Sequence, residues 1–249
     1  MKIDIAILSS NAHQDYLEFW PSVSRAWKTK LGIDPVLLYI DDDYETAVIS
    51  EEYGKVIRIK PIPDIPIYVQ CQSVRYWYAT QLGETTGIIS DIDMYPLSRF
   101  YFIDQLKQIP DYKYVHMNPC MDTYGQIPAC YHVAKGNTFA SVLGNYDFET
   151  YLRKAIAFSD TVDCSYSNFK YWYVDERYST SLIQQYTNKP IFQFIPREGG
   201  QNGHRIDRPN WVYDKQKVRD DYYYDSHSIR PFRNHSDELN GLVDLMTGI

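Results

Sequence analysis

The sequence predicts an α/β protein: one domain with a mostly parallel central sheet flanked by helices. Three observations predict it. Over the first hundred residues, short β-branched apolar runs alternate with longer segments of helical period, the pattern of βαβ units. Three of those runs end in polar residues, Ser9-Ser10-Asn11, Asp41-Asp42-Asp43 and Asp91-Ile92-Asp93, where a parallel sheet meets its ligand. No repeat, low-complexity tract or flexible linker interrupts the 249 residues, a length that suits one large domain or two small ones.

The elements follow in order. "KIDIAIL" (2–8) is an apolar, β-branched strand. In residues 14–32, Leu17, Trp20, Val23 or Ser24, Trp27 and Leu31 fall at helical spacing and Gly32 is a stop. Pro21 either kinks this helix or marks its start. "DPVLLYI" (34–40) and "KVIRI" (55–59) are strands, and Pro61, Pro63 and Pro66 then hold the chain extended. "QCQSVRYWYATQL" (70–82) is a helix closed by Gly83, and "TTGIIS" (85–90) is the strand that delivers Asp91-Ile92-Asp93. A helix is expected near 98–108.

The second half is less regular. Residues 112–117 and 127–135 read as strands, possibly an antiparallel pair, and 137–144 and 146–159 as helices. Residues 175–186 read as a helix with Asp175 at its N-cap, and 189–195 as a strand. Residues 196–211 form a Gly-rich polar loop. Ser236 is expected to cap a C-terminal helix that packs through Leu239, Leu242, Val243 and Leu245.

Composition excludes several classes. A net charge of -7 argues against a nucleic-acid surface, which needs a basic stripe, and permits a divalent cation. No run of about 18 apolar residues is present, so no membrane span is expected, and no signal-peptide pattern opens the chain. Cys71, Cys120, Cys130 and Cys164 form no C-x-x-C pair; they read as reduced thiols of a cytoplasmic protein, and not as zinc ligands. The 24 tyrosines offer ring faces and hydroxyls that suit sugars and nucleobases, or simply half-buried packing.

Two carboxylates one residue apart at a strand end repel each other unless a cation compensates. In an extended strand both would point the same way. Mg²⁺ or Mn²⁺ is the natural partner, since such an ion keeps water and takes substrate phosphates.

"IISDIDMYPL" resembles the Asp-x-Asp motif of GT-A glycosyltransferases, set behind a nucleotide-binding βαβ half. The resemblance covers nearly the whole chain. It implies a single GT-A-like, Rossmann-like domain over residues 1–249, with a nucleotide-binding half (1–95) and an acceptor-side half (96–249) carrying a smaller antiparallel element. It implies a metal-dependent transferase using Mn²⁺ or Mg²⁺. Such an enzyme moves a sugar from a nucleoside-diphosphate donor, by default a UDP-sugar, to a glycan or other hydroxyl acceptor. By position, Asp91 and Ile92 would touch the donor, and Asp93 with Asp91 would hold the ion.

The same resemblance places Ser9, Ser10 and Asn11 at the nucleotide, Asp41 at the base or ribose, and Arg75 near the donor. Each also has a plain structural role: the Ser-Ser-Asn run can cap a helix, and Arg75 can lie on the surface. Inversion at the anomeric carbon needs a base for the acceptor hydroxyl. The family's acidic base at a helix start matches Asp175 first and Glu176 second, although acidic residues favour such a position anyway. Tyr171, Trp172 and Tyr173 form either a stacking wall for a sugar or part of the core. A further histidine ligand from a C-terminal loop would be His204, with His227 and His235 as alternatives. Arg205 and Arg208 beside it can neutralise diphosphate charge. His116 and His132, on strands, read as structural or acceptor-side.

Other readings fit less well. Haloacid-dehalogenase phosphatases also carry Asp-x-Asp after a strand, but want Thr or Val where Tyr95 stands, and no later Gly-Asp-x-x-x-Asp run appears. Sugar-nucleotide pyrophosphorylases need a Gly-rich basic loop that "SSNAHQDY" lacks. A carbohydrate- or nucleotide-binding module without transferase activity is the non-enzymatic alternative.

Overall fold

The computed structural model describes residues 1–117, 126–199 and 203–248. Cys120 and residues 200–202 of the Gly-rich loop lie outside them.

Strand β1 (Ile5–Ser10) pairs in parallel with β2 (Asp34–Ile40), Ile5 opposite Asp34 and Ser10 opposite Tyr39. The expected helix between them is broken into α1 (Gln14–Leu17), α2 (Trp20–Ala26) and a π-helical turn, Trp27–Leu31. Pro21 falls in the first turn of α2, where its missing N–H costs nothing, so it starts a helix and does not kink one. Gly32 ends the segment at φ 70°, as a left-handed stop requires. β3 (Lys55–Ile59) joins the outer edge of β2. α3 (Ile67–Thr80) starts earlier than its apolar period suggests, directly after Pro66. β4 (Thr86–Ile89) returns beside β1.

Past β4 the chain departs from the expected pattern. Met94–Pro96 is a strand, β5, and the helix expected near 98–108 is only α4 (Arg99–Phe102) and a 3₁₀ turn, Asp104–Leu106. β6 (Tyr114–His116) and β7 (His132–Lys135) pair antiparallel, and β7 is also antiparallel to β4. β7 starts five residues late, because Pro128 spends its carbonyl on His116 and His132, at 3.1 and 2.9 Å. Both histidines are buried, and burial pushes the His116 imidazole down to about 4 and His132 well below its usual range.

α5 (Gly136–Leu143), α6 (Phe148–Ser159), α7 (Val174–Gln184) and β8 (Phe192–Phe194) follow. Tyr173, not Asp175, holds the N-cap position of α7 and makes no side-chain cap; Asp175 lies inside the first turn. β9 (Arg205–Asp207), α8 (Lys215–Arg219), β10 (Asp225–His227) and α9 (Phe232–Thr247) complete the chain. α9 begins ahead of Ser236, with a kink at His235 (φ -131°, ψ 16°).

Among the described residues the main sheet has seven strands in the order β3-β2-β1-β4-β7-β6-β8, and β5-β10-β9 form a second, three-stranded sheet. Alternation along the strands divides the core. Ala6, Leu8, Leu37 and Tyr39 face α2 and α9, while Ile7, Leu38 and Ile40 face α3, α5 and α7. Fully burying each of these Leu and Ile side chains stabilises the fold by about 1.5–3 kcal/mol. The sheet's carboxyl edge, left open between these layers, carries the polar strand ends. No described helix is long and apolar enough to cross a membrane.

Candidate active site

A cavity of about 530 Å³ opens at that edge, a size that suits a small-molecule ligand. Its lining gathers residues from every part of the chain: Ser9, Ser10 and Asn11 after β1, Arg75 from α3, Asp91 to Asp93 after β4, Asp175 and Glu176 from α7, and Arg208, His227 and Arg230 from the far end.

Asp91-Ile92-Asp93 is not the end of an extended strand. β4 stops at Ile89, and the Met94 N–H donates to the Asp91 carbonyl (3.2 Å), closing a turn. The two carboxylates therefore diverge onto different cations. Asp91 Oδ1 accepts from Arg75 Nη1, and its Oδ2 accepts from the Cys130 thiol at 3.1 Å. Asp93 Oδ2 accepts from Arg208 Nη2 at 2.7 Å and lies 3.8 Å from Arg230 Nε. The Asp91 side chain is 41% exposed and that of Asp93 only 6%, so Asp91 faces the cavity and Asp93 stands behind it. Burial pushes both carboxyls up. For Asp91 the Arg75 guanidinium outweighs burial and holds it below the usual range; Asp93 stays above its usual value.

Arg75 is buried. It donates to the Ser90 carbonyl (3.0 Å), to Asp91 and to Asp175 Oδ2 (3.4 Å), tying α3, β4 and α7 together. Glu176 lies beside this ion pair. Its Oε1 accepts the Ala129 N–H (2.8 Å) and its Oε2 accepts from Gln126 Nε2 (2.9 Å). Burial, and next the Asp175 charge, push Glu176 up to about 8; burial raises Asp175 to about 6 against the pull of Arg75. Two adjacent carboxyls thus differ in duty: Asp175 is spent on Arg75, and Glu176 is held by neutral donors.

The first strand end is shaped by short bonds. Ser9 Oγ donates to the Cys71 carbonyl (2.5 Å), and Asn11 Oδ1 accepts the His13 N–H (3.2 Å). Asp41 does not line the cavity; it accepts the Ala12 N–H (2.8 Å) and so braces the loop that does.

Two expectations about the C-terminal loop need correction. His204 lies away from the carboxylates. Its ring stacks on Tyr222 and Tyr224, and its Nδ1 donates to the Tyr222 carbonyl (2.8 Å). The histidine beside Asp93 is His227, with Nε2 at 3.9 Å from Asp93 Oδ2. Arg205 faces inward as well: together with Arg197 it donates four N–H bonds to the buried Asp225, at 2.7–2.9 Å. Alternation along β10 explains the choice. Asp225 points to the core and His227, two residues on, takes the same face at the strand's cavity end.

His227 meets the requirements of a metal ligand. Its Nδ1 donates to Asp207 Oδ1 (3.0 Å), which fixes the ring and leaves Nε2 toward Asp93, the support that ligating imidazoles need. Carboxylate oxygens with one imidazole suit Mn²⁺ better than Mg²⁺. Among the described residues no three His, Cys, Asp or Glu side chains already close around a point; Arg208 Nη2 bonds both Asp93 and His227 and occupies the space between them. Arg208 Nε is buried with no hydrogen-bond partner among the described residues. Sequence reasoning also missed Tyr16, Tyr68 and Arg230. The Arg230-Pro231 step after β10, mirroring the polar ends of β1 and β4, was the available signal.

No family model matches this sequence, and no curated protein matches it. Solved structures do. The apo form of the glycosyltransferase GlyE of Streptococcus pneumoniae TIGR4 superposes with a TM-score of 0.53 at 11% identity, covering 100% of this chain and 63% of GlyE. This chain thus spans less than two thirds of GlyE. The galactosyltransferase LgtC, bound to donor and acceptor sugar analogues, gives a TM-score of 0.51 at 11% identity, covering 98% of this chain and 95% of LgtC. An active-site mutant of LgtC gives 0.53 at 10% identity, with 95% of each chain covered. At these identities the likeness is one of fold: this chain has the fold of solved glycosyltransferases, as its Asp-x-Asp stretch implies.

Proposed function

We propose that this protein is a Mn²⁺-dependent glycosyltransferase that moves a sugar from a nucleoside-diphosphate donor, UDP-type, to a hydroxyl of a carbohydrate acceptor. One observation supports the reading: two carboxylates and an imidazole (Asp91, Asp93, His227) meet two guanidiniums (Arg208, Arg230) in one cavity of about 530 Å³. Asp91, Asp93 and His227 would hold the ion, which when bound supplies positive charge for the departing diphosphate. Arg208 and Arg230, both lining the cavity, would face the phosphates with fork-shaped donors. Ser9, Asn11 and the rings of His13 and Tyr16 surround the nucleoside.

Glu176 acts at the reacting centre as the base for the acceptor hydroxyl, and the reaction inverts. Asp175 positions Arg75, which in turn orients Asp91. Isothermal titration with UDP, with and without Mn²⁺, tests the reading. The expected result is nucleotide binding that Mn²⁺ tightens, with transfer from one member of a sugar-nucleotide panel. Binding of a free glycan with no nucleotide binding in Mn²⁺ would instead establish a lectin-like module. The anomeric configuration of the product, read by NMR, tests inversion; retained configuration would make Glu176 a nucleophile.

A further inference from the structure

The segment ahead of α7 folds back on itself. Tyr166 and Phe169 exchange backbone N–H donors and carbonyl acceptors at 2.9 Å each way, and the Tyr173 N–H donates to the Cys164 carbonyl (3.0 Å), pinning the base of the fold-back. This raises a set of rings. Phe169 and Trp172 lie 5.3 Å apart between centroids. Tyr68, from the first turn of α3, meets Phe169 edge-on at 5.3 Å and stacks on Trp172 at 6.3 Å and 29°. Phe169 is 46% exposed. Tyr68 and Trp172 are half-buried, with Tyr68 resting on the core at its base, so the three rings leave a partly open aromatic face on the cavity wall.

Tyr68, Phe169 and Trp172 line the same cavity as Glu176. Trp172 stands four positions before Glu176 in the chain, just ahead of α7. A ring seated on this wall would share the cavity with the carboxylate. The chemistry of the wall selects its occupant. A pyranose has one face of C–H bonds that an aromatic ring accepts, and a rim of hydroxyls that carboxylates and amides bind. Gln72 and Glu176 supply such groups within the cavity. The nucleoside has its own surroundings at the β1 end, so these rings are left for the second substrate.

We propose that Tyr68, Phe169 and Trp172 form the acceptor subsite, a stacking platform that holds one pyranose ring of a carbohydrate acceptor with a hydroxyl toward Glu176. The assignment rests on the transferase reading, and the following experiment separates the two. Saturation-transfer NMR is run on the intact chain with UDP and Mn²⁺ present, using the methyl pyranosides of glucose, galactose, mannose and N-acetylglucosamine as probes. At least one receives saturation through its ring C–H protons. Trp172→Ala and Phe169→Ala each weaken that pyranoside by about tenfold, Trp172→Phe restores most of it, and UDP affinity by titration stays within twofold. Thermal unfolding of the alanine variants matches the parent, since the rings are partly exposed.

Saturation of no pyranoside while UDP binds overturns the platform and leaves the transferase reading intact. Pyranoside binding without UDP binding overturns the transferase reading and keeps the platform. An equal loss of UDP affinity in Trp172→Ala assigns the rings to the nucleobase and overturns the proposal.

Discussion

Asp225→Asn should destabilise the protein severely although it lies outside the cavity. Asp225 is fully buried, takes four N–H bonds from Arg197 and Arg205, and accepts from Tyr131 Oη at 2.9 Å. The Arg197 and Arg205 side chains are themselves 1% and 9% exposed. Asparagine keeps the shape and removes the charge that both buried guanidiniums pair with. Breaking a buried pair in this way costs about 3–5 kcal/mol. At roughly 2–4 °C per kcal/mol for a domain of this size, the Tm should fall by about 6–20 °C. Urea titration and calorimetry measure both quantities. A loss below about 1 kcal/mol would refute the reasoning that the Asp225 charge holds Arg197 and Arg205 in place.

A pH arm checks the cause. Burial pushes Asp225 up, but Arg205 and Arg197 outweigh it and hold the carboxyl well below the usual range. Its contribution is therefore present above the unfolded-state value, about 3.9, and lost as pH falls toward the folded value. The gap between parent and variant should stay constant from pH 7 to 5 and narrow below about pH 4.

Further outcomes test the site. His227→Ala should abolish the Mn²⁺ enhancement of UDP binding and Asp207→Asn should weaken Mn²⁺ by about 10–100-fold, while His204→Ala leaves titration curves unchanged; loss of metal response in His204→Ala would reverse the assignment. Glu176→Gln should lower kcat by about 10²–10⁴ with UDP affinity retained. Burial and the Asp175 charge push Glu176 up to about 8; if it is the base, it works only after losing its proton, so kcat/KM should rise with pH up to that value, and this limb should vanish in the variant.

The βαβ half was legible because its signals are local. Period-2 and period-3.6 patterns placed β2 and β3 to the residue, and polar strand ends pointed to the cavity. Errors arose where long-range pairing decides conformation. No local pattern marks Met94-Tyr95-Pro96 as a strand; pairing with the distant Asp225-Ser226-His227 makes it one. Histidine choice failed for the same reason: neighbouring glycines made His204 look like a phosphate-loop residue, whereas selection depends on which strand of the second sheet faces Asp93. Arg205 and Arg208 are three residues apart and look equivalent in sequence. β9 directs Arg205 to Asp225, and the turn after it sends Arg208 to the cavity.

The pairing of β5 with β10 joins Pro96 to Asp225, so the chain must close a loop longer than half its own length before this contact forms. Such closures come late and slowly in folding. Asp91, Asp93 and Arg75 belong to the portion made first, and Arg208, His227 and Arg230 to the portion made last. An emerging polypeptide would therefore display the acidic half of the centre for some time with no guanidinium to neutralise Asp93. A ligand that bridges the two halves would bind only the completed fold and so draw the final step forward by mass action.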